Sequence, residues 1–149
     1  MIVVSNTSPI VALDYLGRLD ILKPLFGQVL IPAAVRQELR SRELPPSILV
    51  REVVGDPAGG MLQGLDRGES EAIALAIESE AHLILLDDFA ARQRADRLGL
   101  SKLGIVGLLV RAKRERLIEA IGPEIERLMG LPFHLSPGVV KNALREAGE

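Results

Sequence analysis

Two neighbouring aspartates directly follow a short aliphatic run. In the segment LILLDDFAAR, residues 83–92, Asp87 and Asp88 come immediately after four aliphatic residues. An uninterrupted apolar run of this length predicts a strand of a parallel sheet that is covered on both faces. Because chemistry in such sheets gathers beyond the carboxyl ends of the strands, the two acids indicate a bound cation or a reacting proton. Asp88 has an alternative role as the N-cap of the helix that follows.

Polar side chains occur elsewhere at positions that could join Asp87. Asn6 follows the first predicted strand, and Ser8 comes just after it, although Ser8-Pro9 is also a common helix start. Glu38 shares the apolar face of the helix PAAVRQEL, where a carboxylate is costly unless it is paired or binds a metal. Its alternative role is a salt bridge at the surface or at an edge.

Two glutamates stand near the start of the next strong helix pattern, GESEAIALAIE. Glu69 and Glu71 both align with apolar residues of that helix, which would turn them toward the protein. However, Asp66-x-x-Glu69 is also a capping-box pattern, and acids are favourable at any helix N-terminus. Glu69 therefore has two interpretations, as a ligand and as part of a cap.

Carboxylates gathered at one edge of the sheet would repel one another, and a divalent cation is the usual remedy. The chain has no cysteine, and its two histidines, His82 and His134, are not spaced as a metal-binding pair. Disulfides and thiolate catalysis are thereby excluded, and no zinc site is indicated. Oxygen ligands favour Mg²⁺ or Mn²⁺, which can generate hydroxide and stabilise a phosphoryl transition state.

The overall charge does not by itself favour a polyanionic partner. The 149 residues carry a formal net charge of -2 and have a pI near 5.8, so nucleic acid would need a local basic patch or metal ions. Two groups of basic residues are candidates, one on the helix after Asp87 and one within 111–116. They are Arg92, Arg94 and Arg97, and Arg111, Lys113 and Arg114. The alternative for each is an ordinary solvated helix face.

Strands and helices alternate along the chain, which predicts an open α/β sandwich with a parallel sheet. Strands are predicted at 2–4, 29–31, 48–54, 83–86 and near Leu103. Two short helices are predicted after Ser8, with a break between them near Gly17, and a third from Pro32 to about Ser41. Further helices are predicted at about 67–80, 89–98, 105–116, 118–129 and beyond Ser136. The tail, about 118–149, is expected to pack on the sheet edge or on a partner.

The chain shows neither a signal peptide nor a run of the ~18–20 apolar residues that spans a bilayer, so we expect a cytoplasmic protein without a membrane partner. The helix that begins near residue 105 has little polar surface. It is therefore buried in the core or in a dimer, and we expect a homodimer.

Five segments taken jointly resemble PIN-domain proteins, and more narrowly the prokaryotic DUF3368 branch of predicted nucleic-acid-binding proteins. The segments are VVSNTSPIVAL, GRLDILKPLFGQVLIPAAVRQEL, GESEAIALA, LILLDDFAAR and LGIVGLLVRAK, and the tail FHLSPGVVKNALREAGE is also similar. The resemblance covers nearly the whole chain, which indicates one PIN-like domain over residues 1–149.

This resemblance implies a three-layer α/β/α sandwich with a mostly parallel five-stranded sheet. It also implies metal-dependent RNA cleavage by three or four acids, as in the toxins of VapBC-type toxin–antitoxin pairs. Carried over by position, the acid sites fall on Asn6, Glu38, Glu71 and Asp87. Ser8 matches the family's hydroxyl position, and Glu69 and Asp88 are neighbouring acids that this branch could use as further metal ligands.

Two positions depart from the family pattern. PIN nucleases normally have Asp where this chain has Asn6, and an amide offers a carbonyl oxygen without a charge. Glu71 stands where the family has the shorter Asp, and the extra methylene moves the carboxylate by more than ~1 Å, enough to alter reactivity.

Three functions are compatible with these residues. The first is a Mg²⁺- or Mn²⁺-dependent ribonuclease, with RNA as substrate and an antitoxin protein as a further partner. The second is a catalytically weak PIN module that binds RNA or protein, because Asn6 replaces the usual acid. The third is a receiver-like phosphorylation domain, which is disfavoured because the acids are spread over several elements and no lysine follows a late strand.

Overall fold

A five-stranded parallel sheet forms the centre of the molecule in the computed structural model, which describes residues 1–132 and 135–149. The strands lie in the order β3-β2-β1-β4-β5, and every pair is parallel. Their bounds are β1 Val3–Ser5, β2 Val29–Ile31, β3 Ile48–Val50, β4 Leu83–Leu85 and β5 Lys102–Leu103. The predicted α/β class and five-stranded sheet are confirmed.

Side chains alternate across this sheet and divide the core into two parts. Val3, Ile31 and Leu85 contribute to the larger apolar cluster on one face. Val4 and Ile84 contribute to a second cluster on the other face, together with side chains of two helices. The sheet is thus covered on both sides, which is the predicted three-layer α/β/α arrangement.

The helices supply the outer layers. They are α1 Thr7–Tyr15, α2 Leu22–Phe26, α3 Ala33–Leu39, α4 Arg67–Glu78, α5 Phe89–Arg97, α6 Ile105–Arg114, α7 Gly122–Leu128 and α8 Pro137–Glu146, with a 3₁₀ turn at Leu19–Ile21 before α2. Helices α4 and α5 cover the smaller cluster, and α1, α6 and α7 are among those that cover the larger one. No helix in the described ranges is long and apolar enough to cross a membrane.

Several boundaries differ from the sequence prediction. Strand β3 ends at Val50 rather than at residue 54, and α3 ends at Leu39 because Arg40 adopts a positive φ of 55° that a helix cannot continue. Helix α1 begins at Thr7, so Asn6 and not Ser8 occupies its N-cap position. Helix α7 begins only at Gly122. His134 lies outside the described residues.

Helix α6 is buried within this single chain. Its apolar side chains, among them Ile105, Leu108 and Leu109, are inaccessible to solvent, and α8 packs beside it. Of the two predicted explanations for this apolar helix, burial in the core is the one observed. The helix therefore offers no independent reason to expect a dimer.

Candidate functional site

The strand order reverses between β1 and β4, and a polar residue follows the carboxyl end of each of these two strands. β1 leads to β2 and β3 on one side, and β4 leads to β5 on the other. Ligand sites of open parallel sheets lie in the crevice at such a reversal, outside the carboxyl ends of the strands. Asn6 follows β1 and Asp87 follows β4, and the Asn6 N–H donates to the Leu85 carbonyl at 3.0 Å. The two predicted residues are therefore brought to one crevice.

Asn6 is a buried polar side chain that does not cap the helix it precedes. It is only 3% exposed, and although it holds the N-cap position of α1 its side chain makes no capping hydrogen bond. Its Oδ1 atom is buried and has no hydrogen-bond partner among the described residues. A buried unsatisfied oxygen costs free energy, so its presence calls for a ligand or a water.

Asp87 has one satisfied oxygen and one that is not. Oδ1 accepts a hydrogen bond from the Ile105 N–H at 2.9 Å, at the start of α6, whereas Oδ2 is buried without a partner in the described structure. Burial raises the pKa of Asp87 to about 6, against the opposing effects of the Ile105 N–H and the Arg92 guanidinium. The site thus holds a carboxylate that a nearby positive charge would stabilise.

Glycine makes the close packing around Asp87 possible. A Cβ atom at Gly104 would lie 2.8 Å from Asp87 Oδ1 and 2.9 Å from Arg92 Nη1. The same Arg92 nitrogen donates to the Leu86 carbonyl at 2.9 Å. Gly104 therefore fixes where the carboxylate and guanidinium sit, a role that the sequence patterns did not identify.

Glu38 approaches the crevice from α3. It accepts a short hydrogen bond from the Thr7 hydroxyl, and its carboxylate lies against the backbone of Gly68, where any Cβ would collide with it. The residue as a whole is exposed, so the expectation that it faces the core was wrong. Thr7, which follows Asn6, was missed because a single hydroxyl carries no pattern of its own. Ser8, the predicted supporting hydroxyl, is partly buried in α1.

Glu69 and Asp88 both cap helices, as their alternative interpretations predicted. Asp66 and Glu69 form a complete capping box at α4, and the Asp88 side chain accepts from the Ala91 N–H at 3.0 Å. Burial, followed by the negative charges of Asp66 and Asp88, raises the pKa of Glu69 to about 7. Glu69 and Asp88 are therefore close enough for their charges to interact, and Glu69 is half-buried whereas Asp88 is exposed.

Glu71 lies in different surroundings from Glu38. Its Oε1 accepts from the Ala34 N–H at 3.1 Å, and its Oε2 accepts from Arg67 Nε at 2.9 Å. Pro32, the N-cap of α3, has no side-chain group that could cap that helix, so Glu71 serves as the cap from outside. Oε1 thus joins α3 to α4, and Oε2 is engaged in an ion pair within α4.

The predicted acids do not gather into one closed cluster. Within 1–132 and 135–149, no three His, Asp or Glu side chains are grouped closely enough to hold a metal ion. The crevice instead contains one carboxylate oxygen and one amide oxygen, which are both buried and have no partner in the described structure. Glu38 accepts a hydrogen bond from Thr7, the residue that follows Asn6. Hard oxygen donors of this kind fit Mg²⁺ or Mn²⁺, which keep several of their own waters.

The predicted basic residues separate into one near the crevice and several elsewhere. Arg92 lies beside Asp87, as described above. Arg94 donates to the carbonyls of Met61 and Gln63 at 2.8 and 2.7 Å, and so holds the loop before α4. Arg97 is exposed on α5.

The basic group at the end of α6 is remote from Asp87. Arg111 stacks on the Phe26 ring at 5.4 Å, Lys113 pairs with Glu149 at 2.9 Å, and Arg114 is exposed. Lys113 is eight residues beyond Ile105, which corresponds to about 12 Å along a helix. These three cations therefore lie at the opposite end of α6 from the carboxylate that its first residue contacts.

A family model described as a PIN domain, DUF3368, matches residues 2–149. Searches of curated proteins and of solved structures returned no significant match. The match spans both strand ends of the crevice and all the helices around it.

Proposed function

Because this chain belongs to the PIN-domain family, whose members are typically nucleases, we propose that it is a Mg²⁺- or Mn²⁺-dependent nuclease that hydrolyses RNA. The observation that carries the proposal is the pair of buried, unpaired oxygens of Asn6 and Asp87 at the reversal of strand order. Unsatisfied oxygens of this kind are rare in folded proteins and need an explanation. A hard cation would explain both at once.

Asn6 and Asp87 would hold the cation directly, and Glu38 and Glu69 would support it, with the remaining predicted acids Glu71 and Asp88 retained as weaker candidates. A bound divalent cation would lower the pKa of a water molecule and would stabilise negative charge on a phosphoryl group. Glu71 and Asp88 are ranked lower because their oxygens already hold helix ends. In this proposal they position α3 and α5 instead.

The chain's own groups orient the acids and the substrate. The Ile105 N–H fixes one oxygen of Asp87 and leaves the other free, and the Thr7 hydroxyl fixes the Glu38 carboxylate. Arg92 has one N–H bound to the Leu86 carbonyl, and its other donors are suited to a phosphate oxygen of the substrate. The net charge of -2 gives no general attraction for RNA, so these local groups would have to supply it.

RNA cleavage by the wild type and by Asp87→Asn, each with and without Mn²⁺, tests the proposal. Asp20→Asn is a matched control, because Asp20 is an exposed acid in the 3₁₀ turn before α2 and does not line the cleft beside Asp87. We expect Mn²⁺-dependent cleavage that persists in Asp20→Asn and is lost in Asp87→Asn. Equal rates for the wild type and Asp87→Asn would rule out the role assigned to Asp87.

A second function, binding without efficient cleavage, is favoured by one specific observation. Asn6 contributes no charge, and no third acid joins Asp87 in a closed metal group within the described parts of the chain. Asn6→Asp separates the two functions. Cleavage that appears only in this variant, while the wild type binds RNA, would identify the natural protein as a binding module.

The predicted partners beyond RNA, an antitoxin and a second copy of the chain, stay proposals. A receiver-like function is disfavoured further, since Lys102 on β5 pairs with Asp96 and not with Asp87. Sedimentation over a range of protein concentrations tests the homodimer, and a monomer at micromolar concentration would contradict it.

A further inference from the structure

An aromatic ring stands exposed next to the proposed metal ligands. Phe89 is the first residue of α5, two positions after Asp87, and it is 74% exposed. The sequence has only three Phe, one Tyr and no Trp, and Phe26, by contrast, is buried. Single exposed apolar side chains are common on protein surfaces, so it is the position of Phe89 beside the crevice, and not its exposure alone, that indicates a contact surface.

Phe89 forms one wall of a cleft that opens beside Asp87. The cleft has a volume of about 410 Å³, within the range of roughly 300–1,000 Å³ typical of small-ligand sites. Val106 and Val139 add apolar surface, and Gly104 lines the cleft where a Cβ would meet Asp87 and Arg92. Arg92 adds positive charge, and Lys102, which pairs with Asp96, also lines the cleft. The cleft thus combines a flat ring, apolar walls and cations within reach of one carboxylate.

We infer that this cleft is a base-binding subsite in which an unpaired base of single-stranded RNA stacks on Phe89 while its phosphate lies toward Arg92 and Asp87. Aromatic stacking accepts any base, because every base presents a π-face, and basic side chains alongside follow the backbone. Bases inside a duplex are already stacked and cannot enter such a cleft. The inference rests on the proposed function, because it names the side chain that contacts a base of that substrate.

A protein partner fits the cleft less well. A stable protein interface buries about 800 Å² on each side around an apolar centre, whereas this cleft is small and carries two cations beside an acid. Neighbouring positive charge and a single exposed ring are the features expected of a contact with a nucleotide.

The experiment measures binding apart from cleavage. A short single-stranded oligoribonucleotide and a duplex of the same sequence are titrated into Asp87→Asn alone and into the same protein with Phe89→Ala or Phe89→Trp. We expect single-strand affinity to fall about tenfold in Phe89→Ala and to be retained in Phe89→Trp, with weak duplex binding throughout. Because the chain has no tryptophan, Phe89→Trp is also a unique fluorescent reporter that stacking should quench.

Val54→Trp is the matched control, because Val54 is 89% exposed and does not line the cleft. Unchanged affinity in Phe89→Ala, or equal quenching at both tryptophans, would overturn the subsite. Concentration-dependent self-association that disappears in Phe89→Ala, without any effect on RNA binding, would also overturn it and assign the cleft to a protein contact. Phe89-dependent binding by a wild type that cleaves nothing would support the subsite and reject the nuclease.

Discussion

Two carboxylates at opposite ends of α6 are held in contrasting ways. Asp87 lies at its first residue, has one oxygen without a partner, and has a pKa raised by burial to about 6. Glu149 lies at its far end, where Oε2 accepts from Lys113 and the Ile121 N–H and Oε1 accepts from the Gly122 N–H. These hydrogen bonds, that of Lys113 foremost, lower the pKa of Glu149 to about 2.

The difference separates a structural acid from a candidate functional one. Both side-chain oxygens of Glu149 accept hydrogen bonds, so the charged form stabilises the junction of α6, α7 and α8. Asp87 is destabilising when charged, because desolvation outweighs the N–H and the guanidinium that oppose it. Proteins retain such strained polar groups mainly where they bind or react.

The largest expected effect comes from removing the charge of Asp87. If the carboxylate holds the cation, Asp87→Asn should lower the rate of RNA cleavage by at least about a hundredfold. The same change should stabilise the fold at pH 8 by about 1–3 kcal/mol, because it removes a buried charge. A Mn²⁺-dependent cleavage assay and thermal unfolding measure the two effects, and a variant that is both less stable and still active would break the comparison.

The sign of the pH dependence follows from the raised pKa. The contribution of Asp87 to stability is fully present below its ordinary pKa of 3.8 and is lost as the pH rises through about 6. The stability difference between Asp87→Asn and the wild type should therefore grow from pH 4 to pH 8. A difference that stays constant over this range would show that the side chain is not desolvated.

Gly104→Ala is expected to have the next largest effect. The added methyl would lie 2.8 Å from Asp87 Oδ1 and 2.9 Å from Arg92 Nη1, so both groups must move. A displacement of this kind should reduce cleavage by about tenfold or more and leave the fold intact. Gly55→Ala is the control. A Cβ at Gly55 would meet no neighbouring atom, so this variant should leave cleavage unchanged.

Glu149→Gln should affect stability and not activity. The variant keeps acceptor capacity but loses the charge, which should destabilise the protein by about 1–2 kcal/mol at pH 7. Since the pKa of Glu149 is lowered, its contribution is present above about pH 4.5 and is lost as the pH falls through about 2. Chemical denaturation at pH 7 and at pH 3 measures the free energy of unfolding. A loss of cleavage in the folded variant would contradict the purely structural role of Glu149.

The smallest expected effect concerns Glu71. Glu71→Gln keeps an acceptor for the Ala34 N–H and weakens only the pairing with Arg67, so stability should fall by less than about 1 kcal/mol. If Glu71 acts as a cap, cleavage should change by less than about threefold, a limit set by the small energies of such pairs. A loss as large as that of Asp87→Asn would return Glu71 to the metal ligands.

The sequence predicted the fold more completely than the site. Unbroken apolar runs located the strands. Such runs arise because alternate residues of β1, β2 and β4 face two different apolar clusters, so every position must be apolar. The placement of Asn6 and Asp87 followed from the ends of those runs. The capping roles of Glu69 and Asp88 followed from local spacing alone.

What the sequence could not supply were contacts between distant elements. The hydrogen bond from Thr7 to Glu38, the cap that Glu71 provides for α3, and the space left by Gly68 and Gly104 all depend on how the helices pack. The prediction that Glu38 faces the core was wrong for the same reason, because the helix face alone did not show where its carboxylate would point. Residue types at one site can be listed from sequence, but their directions come from tertiary packing.

Crystals grown with Mn²⁺ and measured at a wavelength where manganese scatters anomalously provide the most direct test. We predict one anomalous peak within about 2.5 Å of both Asp87 Oδ2 and Asn6 Oδ1, two buried oxygens that have no hydrogen-bond partner in the described part of the chain. A peak confined to the acids around Glu69, or no peak at these oxygens at saturating Mn²⁺, would contradict the assignment of this crevice as a metal site.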